Sequence, residues 1–244
     1  MASPSRPFNS WDALKILALL LMFVDHAGAY FLVHDVWLRA IGRGAAPIFL
    51  FLAGRASSYR FSREIFVLAC LMTLSNIAMG DYFHPLNILF TILLWRAVLD
   101  WMKKRGKIIE KPLEWFIGAT IFILPSYFLF QYGTLGLLFA IGGIMQRYPE
   151  LYSRKTQRLF MVASFVAYAA TFTLFFGFTV FDILLMAAVL CLDYLLLTRF
   201  EIRTMDMRHC PEWLVKLLTL CARYTGYIYA IHLIIISWIS HYPI

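Results

Sequence analysis

Long apolar stretches dominate this sequence and restrict the folds that are open to it. Several of them reach the roughly 20 residues that a helix needs to cross the hydrocarbon core of a bilayer. Of the 244 residues, 61% are hydrophobic and only 15% are charged, whereas a soluble domain has about a quarter of its residues charged. The sequence therefore predicts an all-α polytopic membrane protein. Because no internal repeat and no second soluble segment is visible, residues 1–244 are expected to form a single domain.

Nine apolar runs can be counted along the chain, and they predict about nine transmembrane helices, within a range of eight to ten. Pro125 is expected to kink the fifth run, because proline cannot donate the helical hydrogen bond. An amphipathic segment, 212–226, precedes the last run. The runs cover residues 12–33, 41–59, 64–80, 85–101, 113–130, 133–145, 158–176, 179–198 and 227–240.

Lysine and arginine are distributed unevenly between the loops, and this predicts the direction of the crossings. Cytoplasmic loops of membrane proteins carry an excess of these residues. Basic residues lie at the start of the first run and in the loops after the second, fourth, sixth and eighth runs. This alternation predicts a cytoplasmic N-terminus. Arg39 and Arg43 break the pattern, and Arg43 is expected to be drawn into the helix bundle. The residues that set the pattern are Arg6, Lys15, Arg60, Arg63, Lys103, Lys104, Arg105, Lys107, Lys111, Arg147, Arg154, Lys155, Arg158, Arg199, Arg203 and Arg208.

The net charge of +8 is accounted for by these loops. No alternation of basic and aromatic residues is found outside the apolar runs, so no nucleic-acid partner is predicted. The four cysteines have no CxxC spacing and are predicted to be small buried apolar side chains. No metal site is predicted, and the lipid bilayer is the partner that the composition requires.

The first run, WDALKILALLLMFVDH, carries ionisable residues within apolar sequence. Lys15 and His26 are eleven positions apart, so they fall on nearly one face of a helix that turns about 100° per residue. Such groups usually face an interior or a wet cavity. His26 could be a packing histidine or a general base. Asp25 points about 100° away from His26 and is expected to pair with a basic group on another helix.

Arginines cluster near the end of the second run. Arg60 and Arg63 are three residues apart and share a helix face. They could anchor the cytoplasmic side of the membrane, or they could clamp a phosphate with the planar guanidinium. Arg55 lies deeper in the apolar run, and Arg43 lies between two glycines that allow a close backbone approach.

The last run contains His232, with Tyr229 three residues before it on the same face. The pattern fits an aromatic belt with a packed histidine, or a second polar group that faces a cavity. Arg96 and Asp100 in the fourth run are four residues apart and predict a local ion pair.

Three segments together resemble the TraX family of pilin acetylases, which belongs with the acyltransferase-3-like membrane acyltransferases. They are WDALKILALLLMFVDH, GRGAAPIFLFLAG and YIYAIHL. The resemblance covers the N-terminal third and the last helix, and the middle of the chain is similar only in hydropathy. The residues that carry it are Lys15 and His26 in the first run, Arg60 and Arg63 in an R-x-x-R motif, and Tyr229 and His232 in the last run.

The resemblance implies acyl transfer, with acetyl-CoA as the cosubstrate, in the plasma membrane (the bacterial inner membrane). An acetyl group would pass from cytoplasmic acyl-CoA to an amine or hydroxyl of a polypeptide, such as a pilin N-terminus, or of a glycan. His26 and Asp25 are expected to be catalytic, through direct transfer or through an acyl-histidine. The residues expected to bind the acyl-CoA are Lys15, Arg43, Arg55, Arg60, Arg63, Tyr229 and His232. A homodimer is left open.

A transporter or channel is the main alternative. Charged residues on one helix, a glycine-rich sixth run and proline kinks would suit it as well. The lack of a visible inverted repeat speaks against it. A non-catalytic membrane scaffold is disfavoured because so many ionisable residues lie within apolar runs.

Overall fold

The computed structural model describes residues 7–32, 36–82, 85–105 and 111–241. Within these ranges the chain is helical, with two isolated bridges and no β-strand. Arg6, Lys107 and the predicted end of the first run at residue 33 lie outside the described residues. The helices are α1 Ser10–Tyr30, α2 Val36–Gly42, α3 Ala45–Arg55, α4 Arg63–Ala78, α5 Ile88–Lys104, α6 Pro112–Ile121, α7 Ile123–Leu129, α8 Gly133–Arg147, α9 Arg154–Phe176, α10 Val180–Thr198, α11 Glu212–Arg223 and α12 Thr225–His241.

Helix length and hydropathy confirm a helical membrane protein. In the described ranges, four stretches are long and apolar enough to cross a bilayer: α1, α2 with α3, α9 and α10. The bent pairs α6–α7 and α11–α12 raise the count to six if each pair is one span. Helices α4, α5 and α8, with 16, 17 and 15 residues, are at or below the lower limit of about 17 residues for a spanning helix. The nine spans and the cytoplasmic N-terminus therefore stay predictions.

Two sharp bends interrupt the helices. The axes of α6 and α7 differ by 63°, and Pro125 lies in the first turn of α7. The kink predicted at Pro125 is confirmed, since its ring nitrogen cannot donate to the carbonyl one turn earlier. The axes of α11 and α12 differ by 79°, so the amphipathic segment before the last run is a helix of its own.

The second run differs from the prediction of one helix over residues 41–59. Its helix begins at Val36, breaks after α2, and ends with α3 at Arg55. Past this end, the Tyr59 hydroxyl donates a hydrogen bond to the Gly54 carbonyl oxygen at 2.5 Å. Burial raises the pKa of Tyr59 to about 12, so the donor stays protonated. The backbone leaves the helical conformation at Ala56, with ψ 147°, and this bond holds Tyr59 against the end of α3.

Helix α8 forms the centre of the bundle, and Gly133 to Met145 are all buried. It packs against α3 through small residues that let the two backbones approach closely. A Cβ atom added at Gly54 would lie 2.5 Å from the backbone carbon of Ala140, and one at Gly143 would lie 2.8 Å from the backbone nitrogen of Arg55. Gly54 of the second run and Gly143 of the sixth run therefore serve helix packing.

Replacing Gly54 by alanine should destabilise the bundle, because the added methyl group would separate α3 from α8. Overpacking of this kind costs about 1–3 kcal/mol or more. The matched control is Gly118→Ala in α6, where a Cβ meets nothing within 4 Å and should stabilise the helix by roughly 0.5–1 kcal/mol. Free energies of unfolding in detergent measure both effects. Equal stabilities of the two variants would contradict the close crossing of α3 and α8.

Candidate active site

A cavity of about 910 Å³ runs between α1, α3, α4, α5 and α12. On α1 its wall extends from Trp11 to Tyr30. At 1.5 Å per residue these two positions are roughly 28 Å apart along the helix axis. The cavity therefore follows α1 over most of the thickness of a bilayer core.

Two histidines meet at the wall of the cavity. His26 Nδ1 lies 2.7 Å from His232 Nε2, and His232 Nδ1 lies 2.9 Å from the carbonyl oxygen of Ile228. A carbonyl oxygen can only accept, so in the neutral pair His232 carries its proton on Nδ1. His232 Nε2 must then accept from His26 Nδ1. We infer from this chain of bonds that His26 Nε2 carries a lone pair.

His26 is placed to use that lone pair. It lines the cavity and is only partly buried. No group among the described residues bonds its Nε2, so this atom can receive a proton from a molecule in the cavity. His232 does not line the cavity, and it fixes the His26 ring from behind.

Asp25 pairs with two arginines of the next helical segment. Arg43 Nη2 donates to Asp25 Oδ1, and Arg39 Nε lies 3.0 Å from the same oxygen. Asp25 and Arg43 are buried. The prediction that Asp25 finds its partner on another helix is confirmed, and so is the prediction that Arg43 is drawn into the bundle. The carboxylate is bonded to these arginines and makes no hydrogen bond to the His26 ring among the described residues.

The surroundings of Arg43 hold its guanidinium in one position. It lies over the rings of Phe172 and Phe176, at 4.9 and 5.0 Å from their centroids. The Tyr168 hydroxyl donates to the Arg43 carbonyl oxygen at 2.8 Å. A Cβ atom at Gly42 would lie 2.5 Å from the Asp25 Cα, so the glycine before Arg43 is needed for the approach to α1.

The other end of the cavity is cationic. Lys15, Arg96 and Arg223 line it, together with Glu64. Lys15 Nζ donates to the Ala222 carbonyl oxygen at 3.1 Å, which ties the start of α1 to the end of α11. Arg96 Nη2 donates to the Arg60 carbonyl oxygen at 3.0 Å. These residues form a basic end, and His26 lies farther along the same wall.

Comparison with known proteins decides the family. The family model described as TraX protein matches residues 10–240. This chain belongs to the TraX family. It is 26% identical to uncharacterized protein RP591 of Rickettsia prowazekii (strain Madrid E) over 242 residues, which cover 96% of this chain and 93% of that protein. Protein TraX of Escherichia coli (strain K12) is also 26% identical, over 166 residues that cover 64% of this chain and 62% of that protein. No solved structure matches the chain.

The fold brings only part of the predicted site of this TraX-family chain together. Tyr229 is buried and lines the cavity, with its ring centroid 6.2 Å from that of His26. Arg60 and Arg63 are exposed and do not line it, although Ser62 between them does. Of the predicted residues, those that line the cavity are Lys15, Asp25, His26, Arg43 and Tyr229, and His232 bonds His26 from behind the wall.

Arg55 lies elsewhere, and the predicted pairing of Arg96 is wrong. Arg55 lines a separate cavity on another side of α1. Asp100 pairs with Lys104 at 2.6 Å instead of with Arg96. Both basic residues are four positions from Asp100, so spacing alone could not choose between them, and Arg96 is held toward the cavity by the Arg60 carbonyl oxygen.

Two wall residues of this TraX-family chain were missed as site candidates. Arg39 was noted only as an exception among the loop charges, although its spacing of four from Arg43 puts both arginines on one face. Tyr132 lines the cavity with φ 65°, a left-handed conformation that is uncommon for a residue other than glycine. Its ring is parallel to that of Tyr168 at 6.3 Å. No sequence signal indicated a site at this position.

Proposed function

We propose that this chain is a membrane acyltransferase that moves an acetyl group from acetyl-CoA to an amine or hydroxyl acceptor. One observation carries the proposal: a single cavity contains a basic end and, farther along, a histidine with an available Nε2. A phosphate-bearing donor would bind at the basic end, and its thioester would extend toward His26. Placement among the acyltransferase-3-like enzymes is part of the proposal.

The proposed reaction begins at His26. Its Nε2 takes a proton from the acceptor N–H or O–H, and the nucleophile attacks the thioester carbonyl carbon. The C–S bond then breaks, and the CoA thiolate leaves and takes up the proton. The His26 Nδ1–H bond to His232 Nε2 persists while His26 is protonated, and it stabilises the charge that forms.

The developing oxyanion needs a donor near His26. Arg43 is engaged by Asp25 and by two phenylalanine rings. Tyr229 lines the cavity beside His26, and no described residue bonds its hydroxyl. Tyr229 is therefore the better donor for the oxyanion. Asp25 acts through Arg43 and Arg39, which fix the α1–α2 contact behind the histidine.

The donor would be held by the basic end of the cavity. Lys15, Arg96 and Arg223 can each bind a phosphate oxygen of the CoA moiety, and arginine does so with paired donors. Arg60 and Arg63 stand outside the wall as a second basic group. A cytoplasmic N-terminus would place this end on the side where acyl-CoA is found.

The acceptor would enter from the end near Tyr30 and Arg39. The resemblance implies a pilin N-terminal amine or a sugar amine or hydroxyl. A chain with nine spans in the bacterial inner membrane would then transfer acetyl groups across the bilayer, as a monomer or as a homodimer.

Purified protein with radiolabelled acetyl-CoA tests the proposal. A pilin N-terminal peptide and glucosamine serve as acceptors, and binding of acetyl-CoA is measured separately by equilibrium dialysis. We expect saturable binding and label in one acceptor. A protein that is folded in detergent but binds no acetyl-CoA would overturn the acyltransferase proposal.

Arg96→Gln should raise the KM for acetyl-CoA about tenfold, because a charge-assisted hydrogen bond contributes roughly 1.5–3 kcal/mol. The kcat should change little, since Arg96 lies at the opposite end of the cavity from Asp25. Steady-state kinetics with varied acetyl-CoA measure both constants. Arg60→Gln with Arg63→Gln is the comparison, and we expect a smaller rise because both side chains are exposed. A larger rise in KM for the Arg60/Arg63 double variant than for Arg96→Gln would place the CoA phosphates outside the cavity.

A transporter is the second candidate, because the cavity extends over most of a bilayer thickness. Two observations speak against a transporter. The glycines of α8 serve close helix packing, and ion pairs of the buried Asp25 hold the cavity wall in place. Uptake of acetyl-CoA into proteoliposomes without any acetylated product would favour the transporter.

A further inference from the structure

A second cavity, of about 1240 Å³, lies on another side of α1 and has no role in the proposed reaction. Its wall is formed by the first turns of α1 and α9, the last turns of α3, α8 and α10, and the loop that follows α10. These helix ends all lie on the side of the bundle where α1 begins. The arginines of the wall are Arg55, Arg154, Arg158, Arg199 and Arg203.

The wall has an excess of positive charge that the protein does not balance. Glu201, the one carboxylate among the described lining residues, pairs with Arg203 at 3.0 Å. The other four arginines of the wall form no ion pair within 4 Å in the described ranges, although Glu201 acts on Arg55 at longer range. Arg55 is half-buried above the Phe200 ring, at 5.2 Å, and its Nε is buried without a hydrogen-bond partner. A partly buried cation of this kind is costly unless an anion compensates it.

Hydrogen bonds hold the wall in place. The Ser10 hydroxyl donates to the Glu201 carbonyl oxygen at 2.6 Å, and the Arg203 N–H donates to the Ser10 hydroxyl at 3.0 Å. Gln146 Nε2 donates to the Leu197 carbonyl oxygen, while its Oε1 is buried without a partner. The loop after α10 is thereby fixed against α1, so the cavity is a built feature of the fold.

The apolar side of the cavity continues onto the outer face of α10. Leu192, Leu195 and Leu196 line the cavity and are exposed. Helices α9 and α10 are both long and apolar enough to cross a bilayer, and in a membrane these exposed leucines would adjoin its acyl chains. Arginines at the end of a span next to exposed leucines match an amphiphile with an anionic head and an apolar tail.

We propose that this second cavity binds one anionic phospholipid, with its phosphate among the arginines and an acyl chain along the leucines of α10. A zwitterionic lipid would bring an ammonium group to a wall whose only described carboxylate is already paired. A free phosphate ester would leave the leucines uncovered. The site therefore favours a lipid with a net negative headgroup.

Native mass spectrometry of the purified full chain tests the proposal, with phosphatidylglycerol and phosphatidylcholine added separately. The double variant Arg154→Gln/Arg158→Gln removes two exposed wall charges. The single variant Arg55→Gln removes the half-buried one, and thermal unfolding verifies that each variant is folded. The matched control is Lys103→Gln/Arg105→Gln, which removes two exposed charges outside both cavities.

We expect the wild type and the control to retain one phosphatidylglycerol, and the wall variants to bind it about tenfold or more weakly. Equal retention of phosphatidylcholine would overturn the proposal, because the arginines would then not select charge. Equally weak binding of phosphatidylglycerol in the control variant would show that only general surface charge matters, and this would overturn the proposal too. If glycerol 3-phosphate displaced the bound phosphatidylglycerol as effectively as added lipid does, the ligand of this cavity would be a soluble phosphate ester, and the lipid proposal would be overturned. Because the readout is lipid binding, the result does not depend on acetyl transfer.

Discussion

Replacing His26 by alanine should lower the rate of acetyl transfer by about 10²- to 10⁴-fold, the range for loss of a general base. The reason is that His26 Nε2 is the atom of the histidine pair that can accept a proton from the acceptor. The binding of acetyl-CoA should be nearly unchanged, since the basic residues that would hold the donor lie at the opposite end of the cavity. Transfer of label under saturating acetyl-CoA measures the first effect, and equilibrium dialysis measures the second.

Two further variants make this result specific. His209→Ala replaces an exposed histidine of the loop before α11 and should leave the rate unchanged. His232→Gln removes the ring that orients His26 and should slow transfer by a smaller factor than His26→Ala, with no change in donor binding. Full activity of a folded His26→Ala protein would remove this histidine from the mechanism. If the His232 variant were slower than the His26 variant, His232 would be the general base and His26 the ring that orients it.

Asp25→Asn should destabilise the protein by about 3–5 kcal/mol, the range for breaking a buried ion pair. It leaves Arg43 and Arg39 facing each other without their shared carboxylate. Arg43→Gln should cost less, because Asp25 keeps the pair with Arg39 at 3.0 Å. The double variant Asp25→Asn/Arg43→Gln should be more stable than the sum of the two losses predicts, since it removes both charges of the closer pair.

Unfolding in denaturant, followed by circular dichroism in detergent, measures these differences. Asp100→Asn is the matched control, because it breaks the exposed Asp100–Lys104 pair and should change stability by about 0–1 kcal/mol. A loss for Asp25→Asn no larger than that of the control would show that the buried pairs do not hold the helices together. Strict additivity in the double variant would show that the two residues are not coupled.

Much of the secondary structure could be predicted from local chemistry. Each apolar run contains a helix, and Pro125 marks a bend because the missing N–H acts on its own helix. The limits were less accurate where residues beyond the helix fold back on it. The helix of the second run ends at Arg55, and Tyr59 folds back to donate to Gly54, a contact that hydrophobicity alone does not indicate.

The candidate site could be predicted only in part, because local chemistry is visible in the sequence and contacts between helices are not. Asp25 had to find a basic partner because a buried carboxylate needs one, and Arg43 was a named candidate for the bundle interior. Arg60 and Arg63 fit a phosphate-clamp spacing, but spacing does not say whether a helix end faces a cavity. The structure leaves both side chains exposed and puts Arg96 at the cavity wall instead.

The sequence by itself determined the class of protein and the character of its helices. Apolar composition and helical periodicity act within one segment, so they fixed a helical membrane protein with Lys15 and His26 on one face of α1. Only the tertiary structure decided that His232 lies behind His26, that Arg39 shares Asp25 with Arg43, and that Arg55 belongs to a second cavity. The physical reason is that these contacts join residues far apart in the chain. They depend on which helices become neighbours, and close crossings at glycines such as Gly42 and Gly54 settle that choice.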